Sequence, residues 1–370
     1  MISPPCRAAL AACVLLLTSC STGNPYYNAT QPHHTPTGFR NNDVGTVSKS
    51  LGDVFRWLRE RVTLGDRDPA AAPSVAANLP AIHANAQAGA AMRPAATWIG
   101  HASALVQASG LNVLTDPVFS DRASPVALIG PQRKQPPGMA LPDLPHIDVV
   151  VISHNHFDHL DRNSVLLLAA QAGGSPLFLV PLGVKPWLAQ QGIDRVVELD
   201  WWQSHRVGAV DFHLTPVQHW SGRSLTDRHH SLWGGWAVLG PDFHWYFSGD
   251  TGYSQDFVAT RNRFAPQQVG GGFDLALIAI GAYEPNWFMK DQHVNPREAV
   301  RIHQDLNAKR SVGIHWGTFD LSDEALGQPP RDLALERQAA GVAAADFDVM
   351  AVGETRLYPQ RSIPPPDALR

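Results

Sequence analysis

Apolar and polar positions change character several times along the chain. Residues 21–48 are rich in Asn, Thr, Pro and Gly without apolar periodicity, which predicts a flexible spacer. From 49 to 62 the pattern becomes helical: Leu51, Val54, Phe55, Leu58 and Val62 recur at helical spacing, with Lys49, Arg56, Arg59 and Arg61 between them. Such an amphipathic helix can pack on the body or lie in a membrane surface. An Ala/Pro-rich connector follows over 69–92. From Thr97 the period predicts strands: Thr97–Ile99, Ala104–Gln107, a turn at Ser109–Gly110, then Asn112–Thr115. The Pro-rich stretch 124–145 reads as a loop close to a site. Asp148–Ser153 is a β-branched run of the buried-strand kind. Further apolar runs fall at Leu177–Val180, Trp245–Ser248, Leu275–Ile280 and Ser311–Ile314, with helices expected over Asp161–Gln171, Val184–Gln191 and Pro296–Leu306.

Charge removes one class of function. The 29 basic and 33 acidic residues nearly balance and form no block of like sign, so no nucleic-acid footprint is present. The amino terminus reads separately: Arg7, an apolar run from Ala8 to Leu17 too short to span a bilayer, then Leu17-Thr18-Ser19-Cys20. That ending resembles the bacterial lipoprotein signal. It implies removal of residues 1–19 and a lipid-anchored Cys20 at the cell envelope, with Ser21 matching the outer-membrane, periplasm-facing version. The expected organisation is thus signal 1–19, tether 20–48, helix and connector 49–92, a single catalytic domain 93–360 and a tail 361–370. The three cysteines, Cys6, Cys13 and Cys20, all lie at this end. A metal site in the body must therefore use histidine and carboxylate.

Histidine is the informative population, 17 in all. His154-Asn155-His156-Phe157-Asp158-His159 follows a buried strand, and three imidazoles and a carboxylate on one tight loop can face two adjacent cations. His219, Asp250 and His315 each follow a later apolar run. In order, these residues resemble the HxHxDH pattern and downstream ligands of the metallo-β-lactamase superfamily, whose fold is a four-layer αβ/βα sandwich. By that family's arrangement His154, His156 and His219 hold one metal, Asp158, His159 and His315 the other, and Asp250 bridges them. The resemblance also implies zinc, although such ligands equally admit manganese or iron.

Gly100-His101-Ala102-Ser103, Leu114 to Phe119, Arg122 to Pro125, Gly281 to Pro285 and His315 to Phe319 narrow the likeness. Together they resemble the N-acyl-phosphatidylethanolamine-hydrolysing phospholipase D branch, near the ascorbate-phosphate lactonase-like group. The implied reaction is phosphodiester hydrolysis by hydroxide held between two cations, with a phospholipid or small phosphodiester as substrate. His293 is the general-acid candidate, since the branch has a functional histidine there; a loop hydrogen-bonding role is the plainer alternative. Asp116 is expected to orient a ligand histidine, and His101 to be structural. Trp201-Trp202, Trp220, Trp233 to Trp236 and Tyr283 to Phe288 either wall an apolar groove or pack the core. A lactonase or sugar-phosphate hydrolase on the same ligands, and a non-catalytic metal-binding lipoprotein, are the competing functions.

Overall fold

The computed structural model describes residues 23–63, 72–126, 128–268 and 271–361. The signal segment with Cys20, and nearly all of the C-terminal tail, lie outside them. A short hairpin, β1 (His34–Thr35) and β2 (Gly38–Phe39), precedes helix α1 (Leu51–Val62) and helix α2 (Leu79–Ala86). Strands β3 (Ala95–Gly100), β4 (Ser103–Ala108), β5 (Leu111–Thr115), β6 (Val149–Val151), β7 (Leu177–Pro181) and β8 (Val196–Leu199) build the first sheet. Within it lie helices α3 (Arg162–Ala169) and α4 (Lys185–Gln190). The second sheet takes β9 (Ser204–Val207), β10 (Val210–Thr215), β11 (Gly235–Leu239), β12 (His244–Phe247), β13 (Leu275–Ala279), β14 (Ser311–Ile314) and β15 (Phe347–Val349). Helices α5 (Asp256–Phe264), α6 (Asn286–Met289), α7 (Pro296–Asp305) and α8 (Gln328–Ala339) accompany it. Last, β16 (Thr355–Leu357) returns to the edge of the first sheet, beside β3.

Each sheet has seven strands, in the orders β16-β3-β4-β5-β6-β7-β8 and β15-β14-β13-β12-β11-β10-β9. Side-chain alternation explains why they stack. In β6, Val149 and Val151 join the inter-sheet core, whereas Val150 and the following Ile152 face outward onto Val165 and Leu168 of α3. In β7, Leu179 points inward while Phe178 and Val180 join the outer cluster with Leu188 of α4. A sheet apolar on both faces must be covered on both, which gives the helix, sheet, sheet, helix layering expected from the sequence. From β5 to β8, and again from β12 to β15, the strands are parallel, so their carboxyl ends open at a common edge.

One expectation for the amino-terminal region needs correction. Residues 23–48 are not a free spacer: Phe39, His33, His34, Asn41 and Val47 are buried against the body. Its few apolar side chains hid this, because polar contacts to distant residues do most of the anchoring. Helix α1 forms where the periodicity placed it, capped by Ser50 and Asp53, but it turns its apolar stripe outward. Leu51, Phe55, Leu58 and Val62 are exposed, and the body is met instead by Trp57 stacked on Phe288 at 5.0 Å and by Arg61 bonded to Asp320 and Asp323.

Replacement of the fully buried Phe39 by Ala is expected to cost ~3–5 kcal/mol through lost burial and the cavity left behind. Thermal unfolding measures it; an unchanged Tm would mean that the arm is loose after all.

Candidate metal centre

Four strands deliver the site from the shared open edge. The segment after β6 carries His154, His156, Asp158 and His159; that after β10 carries His219; that after β12 carries Asp250; and that after β14 carries His315. Backbone geometry there is tight. Gly249 adopts φ +56°, and a Cβ on it would stand 2.4 Å from that of Ser153, so only glycine lets the Asp250 turn approach the His154 loop. His101, Asp116 and His315 have positive φ without being glycine, a local cost tolerated because packing holds them.

The seven sequence-predicted ligands come together. His156 Nδ1 stands 2.8 Å from His154 Nε2 and 3.3 Å from His219 Nε2. On the other side His159 Nε2 and His315 Nε2 are 3.2 Å apart, each 3.4 Å from Asp158 Oδ2. Asp250 lies between the groups: Oδ2 is 3.0 Å from His159, 3.8 Å from His219 and 3.9 Å from His154, and Oδ1 is 3.1 Å from His315. His293 Nδ1 sits 3.8 Å from Asp250 Oδ2.

The surrounding groups prepare the imidazoles as ligands. Asp116 Oδ2 accepts from His159 Nδ1 at 2.7 Å, which meets the expectation that Asp116 orients a ligand histidine. Ser153 Oγ donates to the same carboxylate and accepts from His154 Nδ1 at 2.9 Å. The Gln292 carbonyl accepts from His219 Nδ1 at 2.9 Å. With those nitrogens donating outward, Nε2 of His154, His159 and His219 faces inward as the atom available to a metal. The donor set fits divalent cations: nitrogens sharing one zinc at ~2.0–2.1 Å stand ~3.3 Å apart, close to the spacings found. Asp250 Oδ1 and the His293 and His315 Nδ1 atoms are buried without a hydrogen-bond partner.

Electrostatics divide the cluster. Burial drives His154 and His219 well below the ordinary imidazole value and takes His156 to about 3 and His293 to about 4. His293 is thus neutral at neutral pH, unlike the near-neutral titration a resting general acid would show. For His315 burial is outweighed by Asp250 and Asp158, which push it up to about 9, and His159 is raised in the same way. Burial would raise Asp158 and Asp250, but neighbouring imidazoles, His159 foremost, hold both well below the carboxylate range.

Some participants escaped the sequence reading. His101, expected to be structural, lines the site and bonds Asp158 Oδ2 through Nε2 at 3.1 Å. Arg223 stacks on Phe157 and Trp187 and donates to the carbonyls of Asn155 and Leu160, stapling both ends of the histidine loop. Arg223 has no local signature, since its partners lie far away in sequence, and the Gly100-His101-Ala102-Ser103 motif does not by itself tell that His101 reaches Asp158. Trp201, Trp233 and Trp236 prove to be core: their indoles are buried, and they bond backbone carbonyls or Asn41. Trp220 alone of that set packs on a site histidine, 4.1 Å from the His156 ring. Beside the loop an open cleft of about 690 Å³ is lined by Phe119, Arg122, Phe157, Asp161, Trp187 and Arg223.

Residues 111–316 match the beta-lactamase superfamily domain, and with the ligand order and paired sheets the chain belongs to the metallo-β-lactamase superfamily. It is a metal-dependent hydrolase of that fold. Among relatives, it is 43% identical over 267 residues to N-acyl-phosphatidylethanolamine-hydrolyzing phospholipase D 1 of Caenorhabditis elegans, covering 70% of this chain and 73% of the relative. It is 39% identical to the mitochondrial N-acyl-phosphatidylethanolamine-hydrolyzing phospholipase D of Saccharomyces cerevisiae, covering 66% of this chain and 52% of that one. An isothiocyanate hydrolase from Delia radicum gut bacteria shares the fold, with a TM-score of 0.55 at 18% identity, covering 72% of this chain and 99% of that chain.

A pH dependence of stability follows for the metal-free protein. His154, His156, His219 and His293 are neutral when folded but take up protons on unfolding below 6.5, and Asp158 and Asp250 lose their contribution in acid, so stability rises with pH at the acid end. The contribution of His315 is fully present below 6.5 and lost as pH climbs through about 9. Chelator-treated protein should therefore melt highest near neutrality and lower on both sides; a Tm that rises steadily into alkali would contradict these assignments.

Proposed function

We propose that the chain is a binuclear phosphodiesterase of phospholipase D type acting on N-acyl-phosphatidylethanolamine-like phospholipids. One observation carries the metal assignment: two separate groups of donors, His154/His156/His219 and Asp158/His159/His315, face each other across a single carboxylate, Asp250. Each group supplies three protein ligands, and Asp250 is shared. Zinc is the favoured ion, with manganese and iron admitted by the same ligands. Bound there, two cations supply an activated water and Lewis-acid stabilisation of phosphoryl oxygens.

The substrate class rests on the 43% identity to the nematode phospholipase D, over most of both chains, and on the chemistry of the adjacent cleft. Arg122 and Arg223 suit an anionic headgroup, whereas Phe119, Phe157 and Trp187 suit its apolar continuation. His293, neutral and beside Asp250, is suited to accept a proton from the attacking water and to return it to the leaving alkoxide. The outward stripe of α1 is suited to lie on the lipid surface that presents such a substrate, and a lipid on Cys20 would hold the enzyme at the outer membrane facing the periplasm.

Vesicles containing N-acyl-phosphatidylethanolamine are the direct test. Chelator-sensitive release of phosphatidic acid is expected; turnover of a lactone or a sugar phosphate instead would replace this substrate class, and no turnover of any of them would favour a metal-binding lipoprotein. Asp250→Asn should lower the rate by about 100-fold or more, because both ligand groups lose their shared charge. An undiminished rate would remove Asp250 from the bridging position.

A further inference from the structure

The arm from Asn24 to Val47 lies outside the stretch matched by the family domain, yet it reaches the centre of the site. We infer that this arm is a positioning strap, and that Asn41 sets the placement of His219 and so of the His154/His156/His219 group; this rests on the metal-centre reading above.

Asn41 is 3% exposed and uses one side chain to hold both backbone groups of His219. The His219 N–H donates to Asn41 Oδ1 at 2.9 Å, and Asn41 Nδ2 donates to the His219 carbonyl at 2.9 Å. The same Oδ1 accepts from Trp233 Nε1 at 2.9 Å. A primary amide thus pairs with the backbone of His219 as a strand would, next to the antiparallel bridge between Gln218 and Gly252. Gln292 fixes the imidazole ring while Asn41 fixes the peptide that carries it, which together leave Nε2 aimed at His156 and Asp250. Replacing Asn41 by Ala leaves buried backbone groups unpaired; replacing it by Asp keeps the acceptor but sets a carboxylate against the His219 carbonyl.

The strap is held on both sides of Asn41 independently of that contact. On the amino-terminal side His33 and His34 bond the two oxygens of Asp200 at 2.6 and 3.0 Å, His33 stacks on Trp201, and the Phe39 N–H donates to the His229 carbonyl. On the carboxyl-terminal side Asn42 donates to Asp256, the Gln255 N–H donates to Asp43, and Arg228 donates to the Val47 carbonyl. Asn41 is therefore placed by the strap, and His219 by Asn41.

The test compares the full chain with Asn41→Ala and Asn41→Asp, reading zinc affinity by competition with a chromogenic chelator and kcat and KM on a phosphodiester. Wild type should hold two zinc ions; each variant should lose ~10–100-fold affinity for one ion and keep the other, with kcat falling at limiting zinc while KM stays. Should Asn41→Ala fail to fold by circular dichroism, Asn41→Asp, which is isosteric, keeps the acceptor for the His219 N–H and replaces the donation to the His219 carbonyl by repulsion, carries the comparison. Wild-type affinity for both ions in the folded variants, or an equal weakening of both, would overturn the positioning role. A wild-type chain that binds neither zinc, manganese nor iron stoichiometrically would refute the metal-centre reading itself, and the inference with it.

Discussion

Asp250 has five imidazoles within 4 Å of its oxygens and is 3% exposed. Burying ionised groups at such density costs several kcal/mol for each one unless opposite charges meet them at short range. The protein meets that cost in two ways at once: some imidazoles stay neutral through burial, and others carry charge against Asp158 and Asp250. The arrangement is nevertheless incomplete by itself, because bare nitrogen lone pairs converge on one another. A bound metal ion would relieve this convergence, in keeping with a metal-dependent hydrolase of this family.

Holding so many ligands in place demands a stiff support. Parallel strands provide it, since their carboxyl ends emerge side by side and each releases only a short segment into the site. Asp116 shows the economy of the scheme. Fully buried just after β5, it orders Ser153 and His159, and through Ser153 also His154, so one carboxylate fixes parts of both ligand groups. Gly249 contributes by lacking a side chain, allowing two turns to touch where a methyl group would separate them.

The strands around the histidine loop were readable because their signal is local. Val149 to Val151 are β-branched and buried, and the six residues of the His154–His159 cluster are contiguous. Short edge strands such as β9 and β16 carried too little pattern to be anticipated. The arm before α1 carries no such signal: its anchoring bonds join residues up to 214 positions apart, as between Asn42 and Asp256, and leave no periodicity. Helix α1 illustrates another limit. Its spacing defined an apolar face, but the side turned to the body was decided by Trp57 and Arg61, whose partners Phe288, Asp320 and Asp323 no local window contains.

By itself, then, the sequence determined the candidate ligands, their order and most of the strands before them, because those signals are local, while the layered class of fold came with the family resemblance those residues carry. The tertiary structure alone decided which nitrogen of each histidine faces inward, that His293 is neutral, that most of the tryptophans are core, and that Asn41 grips His219. Those properties arise from burial and from hydrogen bonds between groups that meet only when the two sheets close on one another.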